Sequence, residues 1–320
     1  MVEFKNVYVA ACDENGGIYH YVADENGRLT LKDKTDAESV MFLKIDQNKM
    51  YAILRYGEDG KNSCVVSYDI MEDGSLANVS APVSTLGEVA CHLTVKNGKI
   101  FAANYISGSV FMSPDKCDVH KGQGVNLPRQ SSPHCHFTEF TPDGRYVLAC
   151  DLGLDTIFTY DMDLNVVSTA KVPEGVGCRH IAFSPDGKIA YCINEMGGSV
   201  SVFRYSEGKL DYLETYAALP EDFTDKNTAA AIRVNKGYLY LSHRGHDSFC
   251  VFKIEGEKLC ERKFYSCKGS GPRDIAINGD YLYSANEQTN NVTVFKINDG
   301  KPEYICSAED MPDPLCIIFN

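Results

Sequence analysis

The sequence predicts an all-β fold, a single seven-bladed β-propeller whose last blade is closed by strands from both ends of the chain. Hydrophobicity alternates with a period of two in short runs rich in Val, Ile, Tyr and Phe, separated by Gly, Asp and Asn, as in KIAYCINEMGGSVSVFRY. That is the signature of half-buried strands joined by tight turns. A unit made of an apolar strand with a small or polar end, a turn and a second strand recurs along the chain, and strand units at a period of roughly 40–50 residues build propeller blades of about four strands. The two ends of the chain carry complementary parts of one such unit.

In chain order, VYVAACDENGGIYHY and MYAILRYGEDG with SCVVSY are the weaker copies. FAANYISGSVFM, VLACDLGLDTIFTY, AYCINEMGGSVSVF, LYLSHRGHDSFCVF and LYSANEQTNNVTVF follow as clear ones. The register marks Tyr8, Tyr51, Phe101, Leu148, Tyr191, Tyr240 and Tyr283 lie 43, 50, 47, 43, 49 and 43 residues apart. Two sandwich domains would not keep this repeat, so residues 1–320 read as one domain. The chain opens at the second strand of a unit, whereas its last segment, PDPLCIIFN, resembles the first strand of one (compare SPHCHFTEF, GCRHIAFSP and GPRDIAING). An inner strand near Leu315 to Phe319 would therefore pair with the first 35 residues or so and remove a free sheet edge. The best helical candidate, Leu219 to Ala231, is short and carries Pro220, so helix content should be small. The two DENG runs, Asp13 to Gly16 and Asp24 to Gly27, lack the ligand pattern of a calcium loop and read as hairpin turns.

Thirty-one basic against forty-four acidic residues give a net charge of −13, which disfavours nucleic acid or an anionic membrane face as partner. No run of eighteen apolar residues occurs, and the start MVEFKNVYVAACDENGG lacks a basic n-region and an apolar h-region, so a cytoplasmic location is expected. The thirteen cysteines are scattered without any C-x-x-C spacing and read as reduced, mostly buried thiols. G-x-G-x-x-G, P-loop and G-x-S-x-G motifs are absent, which removes the usual signals of nucleotide-cofactor enzymes and serine hydrolases. No cofactor is expected, and the sequence leaves the oligomeric state open.

In an antiparallel blade the start of the innermost strand and the end of the second lie on one face. Starts of inner strands carry Cys91, His92, His134, Cys135, His136, Arg179, His180, Arg273 and Asp274. Ends of second strands carry Arg55, Asn104, Asp151, Asn194 with Glu195, His243 with Arg244, and Asn286 with Glu287. Histidines, arginines and a glutamate are thus expected at one channel mouth of an acidic protein. Arginine forks suit carboxylate or phosphate, while His and Glu can move protons near neutral pH. Polar residues on inner strands also line hydrated channels or tie blades together, so the cluster carries the inference and no single member does. His134 and His136, two apart, could form a metal pair, but no third ligand accompanies them and no metal is expected. Cys135, turned away from both by strand alternation, is a poor nucleophile candidate.

The runs SPHCHFTEFTPDGRYVLACDLGLDTIFTY, GCRHIAFSPDGKIAYCINEMGGSVSVF, TAAAIRV with YLYLSHRGHDSFCVF, and GPRDIAING with YLYSANEQTNNVTVF resemble successive blades of the lactonase family of seven-bladed propellers, which includes propeller-type 6-phosphogluconolactonases and carboxy-muconate lactonising enzymes. The resemblance is strongest from His134 to Phe295. It implies catalytic roles for His136, Arg179, Glu195 and Arg244, with Arg273 a further position near the mouth, and a small anionic lactone, foremost 6-phosphoglucono-1,5-lactone, as the molecule hydrolysed; His134 and His180, which the strand map places at the same mouth, are expected with Arg273 to bind substrate. His136 as base oriented by Glu195 is the expected pairing. A carboxy-muconate lactonising activity and a non-catalytic binding propeller are the alternatives.

Overall fold

In the computed structural model, which describes residues 5–13, 15–57 and 60–320, every regular element is a strand and no helix occurs among the described residues. The strands form seven antiparallel sheets around a central channel. The inner strands are Val40–Asp46, Ala90–Lys96, Cys135–Phe140, Cys178–Phe183, Thr228–Asn235, Pro272–Asn278 and Pro314–Phe319. Each packs against the next, and Pro314–Phe319 packs against both Pro272–Asn278 and Val40–Asp46, completing the circle. Pro314–Phe319 also pairs with Lys5–Ala11, Val9 lying opposite Ile317. The seventh blade is thus built from the two ends of the chain.

Seven separate apolar clusters, one at each interface between neighbouring blades, take the place of a single central core. Tyr8, Phe101, Leu148, Tyr191 and Tyr240 are fully buried in these interfaces, with Tyr51 and Tyr283 nearly so. The repeating large apolar residue of the sequence, aromatic in all blades but the one marked by Leu148, is therefore what wedges one sheet against the next, each contributing on the order of 1.5–3 kcal/mol by burial. The channel takes a mixed lining, with His, Arg and Asp side chains set among Met41, Phe42 and Leu315.

Two segments differ from expectation. The region from Leu219 to Ala231 is a loop running into the strand Thr228–Asn235, because Ala229, Ala230 and Ala231 are all fully buried in the sheet. The first complete blade is five-stranded, its outer edge divided between Leu76–Ala77 and Val83–Glu88, both paired to Asn62–Ile70. The second DENG run is a hairpin turn in which Asp24 accepts the amides of Asn26 and Arg28 and Gly27 adopts a φ of +75° against the Tyr281 ring. Glu14 of the first run lies outside the described residues.

Candidate functional site

Every inner strand carries a register irregularity just after its start. Met41, Cys91, His136, Arg179, Arg273 and Leu315 are each the extra residue between two paired positions, and in the remaining strand Ala230 and Ala231 share Ser242. A β-bulge of this kind re-aims the side chain it carries. Here it turns two consecutive residues toward the channel at successive heights. Met41, Cys91, His136, Arg179, Arg273 and Leu315 form a plug that leaves a void of about 20 Å³. Phe42, His180 and Asp274, which follow three of them, line the same constriction.

Above the plug opens a cavity of about 460 Å³ lined by Arg55, Tyr105, Arg129, His136, Glu195, Arg244 and Arg273, among others. The second strands deliver its walls by a repeated device. Asn104, Asn194 and Asn286 are fully buried pegs whose amides tie down the following turn, for example Asn194 to Ser199 at 3.0 Å and Ser201 at 2.9 Å. Each satisfies a turn that would otherwise bury unpaired polar groups. The residue after each peg, Tyr105, Glu195 or Glu287, is thereby held at the mouth, and Arg244 follows the buried His243 in the same way.

Glu195 is the hub of an arginine cage. Its Oε2 accepts from Arg179 Nε at 2.9 Å and lies 3.3 Å from an Arg244 nitrogen; its Oε1 accepts from Arg129 at 3.1 Å. Glu287 accepts from Arg273 at 3.0 Å and lies 3.7 Å from Arg244. Arg55 reaches the Ala90 carbonyl at 3.4 Å. Four arginines, Arg129, Arg179, Arg244 and Arg273, are thus ion-paired with two glutamates, an excess of two positive charges to which Arg55 in the cavity lining adds a third. Burial pushes the Glu195 carboxyl up, but Arg244, Arg179, Arg129 and Arg273 together overcome it and hold it below the usual range. Burial, reinforced by Arg244, brings Arg179 down to about 9. Burial likewise lowers Arg244, with Arg273 adding to it. Arg273 is raised: burial lowers it, and Glu287 and Glu195 outweigh that. Such a cage is short of negative charge, and an incoming anion supplies it.

Burial, then Arg179, Arg273 and Arg244, hold the His136 imidazole well below its ordinary value, so it is neutral at pH 7. Its Nδ1 is buried without a hydrogen-bond partner. No hydrogen bond joins it to Glu195 among the described residues, because both carboxylate oxygens are taken by arginines. The expected His136–Glu195 pair is therefore replaced by a free imidazole beside a caged carboxylate.

The structure brings His136, Arg179, Glu195, Arg244 and Arg273 together and separates the other two expected residues. His134 stacks on Tyr105 with ring centroids 4.6 Å apart and bonds its carbonyl through Nδ1 at 3.0 Å, buttressing the wall behind the cavity. The bulge carries His180 one level down, below Arg179 and away from the mouth. His92 lies deeper still, and His243 is buried against Asn227. Arg129, which the sequence reading passed over, comes from the irregular stretch 120–134 and packs its guanidinium 5.2 Å from the Tyr105 ring centre. That stretch is anchored by His120, whose ring bonds Asp151 at 2.5 Å and Tyr160 at 2.7 Å.

Residues 6–319 match the family model for lactonase, 7-bladed beta-propeller. An uncharacterized protein of Lactococcus lactis subsp. cremoris is 31% identical over 331 residues, covering 94% of this chain and 95% of its own. The crystal structure of a Bacteroides fragilis protein proposed to be a 6-phosphogluconolactonase superposes with a TM-score of 0.89 at 28% identity, covering 99% of this chain and 98% of the other. A Pseudomonas aeruginosa periplasmic gluconolactonase gives the same TM-score at 25% identity, with 99% of both chains covered.

Proposed function

The chain belongs to the lactonase family of seven-bladed β-propellers, and from that premise we propose that it hydrolyses an anionic sugar-acid lactone, foremost 6-phosphoglucono-1,5-lactone, to the open-chain acid. One observation carries the reading: a neutral, buried imidazole with an unpartnered nitrogen, His136, sits beside arginines whose positive charge exceeds that of their paired carboxylates.

In this reading the substrate's anionic group and the oxygen that becomes negative in the transition state both face arginine donors, which are already oriented and need no reorganisation. Arg129 and Arg273 are the more open of these donors, and Arg244 lies deeper. His136 removes a proton from water as its oxygen attacks the lactone carbonyl. The tetrahedral intermediate then breaks the ring carbon–oxygen bond, and the imidazolium returns the proton to the departing alkoxide. The new carboxyl group ionises at neutral pH, so each turnover releases one proton.

The low basicity of His136 in the free protein has the same origin as the excess charge. A bound anion offsets the arginine field and raises the imidazole's proton affinity at the moment it is needed. Glu195 serves as counter-ion, keeping Arg179, Arg244 and Arg129 in place. The test is stopped-flow loss of freshly made 6-phosphogluconolactone against its spontaneous hydrolysis, with the unphosphorylated lactone alongside. Catalysis of the phosphorylated lactone that falls by at least about 100-fold in His136→Ala is expected. A preference for the unphosphorylated lactone would move the substrate assignment to gluconolactone, and no catalysis of either would return the protein to the class of binding propellers.

A further inference from the structure

At the opposite end of the channel, beneath the plug, lies a second cavity of about 390 Å³. None of its lining residues also lines the arginine mouth. We propose that it is a binding site for a flat aromatic carboxylate, a function separate from lactone hydrolysis and independent of it.

The hydrogen bonds around the cavity identify the polar end of the ligand. Glu139 in the lining, and Asp274 in the constriction above it as the partner of the lining residue Arg233, are the carboxylates, and each of their four oxygens has a donor. Glu139 Oε1 accepts from Thr94 at 2.6 Å and from the Phe140 amide at 3.0 Å, and its Oε2 accepts from Lys44. Asp274 Oδ1 accepts from Arg233 at 2.8 Å and its Oδ2 from the Ile317 amide at 2.9 Å. The donors are not used up. Lys44 carries three N–H groups and Arg233 five, and the bonds made are one from Lys44 and, from Arg233, one to Asp274 and one to the Ile232 carbonyl. Both side chains are about a third exposed, at 30% and 34%, so the remaining N–H groups are within reach of a ligand.

His92 adds a further polar group from within, its Nδ1 3.4 Å from the Thr138 amide nitrogen. Burial, then Lys44 and Arg233, keep this imidazole neutral. With a donor already on each carboxylate oxygen and N–H groups of Lys44 and Arg233 left over, a ligand that only accepts fits best, and a carboxylate is the small group that does so with charge.

The body of the cavity fixes the remainder of the ligand. Phe42 and Phe137 flank the His92 ring at 4.1 and 4.6 Å, and Phe183 and Ile181 continue the apolar wall. Apolar walls with a few convergent polar groups, in a volume of about 300–1,000 Å³, are the usual form of a small-molecule pocket. Ring-against-ring contact with two phenylalanines favours an aromatic body over an aliphatic one.

The test uses the full-length protein and benzoate, followed by titration calorimetry and saturation-transfer NMR at pH 7. Benzoate should saturate one site and bind at least about tenfold more tightly than benzamide, its neutral isostere, a gap of about 1.4 kcal/mol. Acetate, which lacks the ring, should not compete. Ile181→Trp fills the cavity and should abolish binding. Lys44→Gln, at the half-open rim, should weaken it about tenfold while leaving the fold intact. Inorganic phosphate, directed to the other mouth, should not displace benzoate. Equal affinity for benzamide, displacement by phosphate, loss of binding in Arg244→Ala, or unchanged binding in both Ile181→Trp and Lys44→Gln would each overturn the proposal, and none of these results bears on lactone hydrolysis.

Discussion

Replacing Glu195 by Gln separates the two roles a carboxylate could have at the mouth. Gln keeps one acceptor oxygen, but its amide nitrogen must face an arginine that also donates, and the three contacts at 2.9, 3.1 and 3.3 Å cannot all be satisfied. Breaking a buried ion pair from one side costs about 3–5 kcal/mol, which for a chain of this size should lower Tm by roughly 4–7 °C. The same change adds one positive charge to the cage. An anion held about 5 Å away at an effective dielectric near 20 would gain about 3 kcal/mol, so phosphate should bind up to about 100-fold more tightly. Phosphate at 100 times its Kd would then restore about 2.7 kcal/mol of the lost stability. Differential scanning fluorimetry with and without phosphate, together with phosphate titration calorimetry, reads both effects. Turnover should fall only about tenfold, through tighter product retention, against 100-fold or more for His136→Ala. A Glu195→Gln protein as stable as the parent, with phosphate affinity unchanged, would refute the counter-ion role.

Burial holds His92, His136, His180 and His243 below their ordinary value in the folded state. Their contribution to stability is therefore present above about pH 6.5 and is lost as pH falls below it, at about 1.4 kcal/mol per unit for each. Urea unfolding should show about 5 kcal/mol less stability at pH 5.5 than at pH 7, and a loss under about 2 kcal/mol would contradict neutral burial of the four rings. In the lactonase assay the acid limb of kcat/KM, which reports free His136, should lie well below pH 6.5, and that of kcat should lie at higher pH because bound anion raises the imidazole; coincident limbs would remove the arginine field as the cause. Arg129→Ala should raise KM about three- to tenfold with kcat little changed, since Arg129 is 41% exposed and touches only the rim of the cage; a fall in kcat alone would put it in the chemistry. Deleting residues 314–320 removes an inner strand and should leave the chain unfolded by circular dichroism at 25 °C, whereas a truncated protein that melts like the full chain would disprove the closure.

The architecture was readable from the chain because its signals are periodic. One large apolar residue per repeat, aromatic in six of the seven and Leu148 in the other, marks each blade interface, and the mismatch between the first and last segments marks the closing blade. The site was readable in part. Glu195 and Arg244 follow strand ends that alternation locates correctly, and His136, Arg179 and Arg273 start inner strands. His180 and His92 escaped because strict alternation has no place for an extra residue, and each bulge lowers the next side chain by one level toward the far cavity. Arg129 lies where no period exists. Its signal was length: fifteen residues without regular structure between Lys116–Val119 and Cys135–Phe140, and connections of more than about 12–15 residues in a compact domain usually serve function.

The seven bulges make the plug a word spelled with one letter from each blade, read as Met, Cys, His, Arg, Ala, Arg and Leu around the ring. Each letter is set in a backbone kink that its own sheet maintains, but the letters are not all of one kind. Met41, Cys91 and Leu315 also belong to the apolar clusters between blades, so spelling and binding are coupled there. Rewriting one of them changes both what the channel recognises and what joins its sheet to the next. His136, Arg179 and Arg273 carry no share of those clusters, and replacing them alters recognition while the apolar interfaces stay whole.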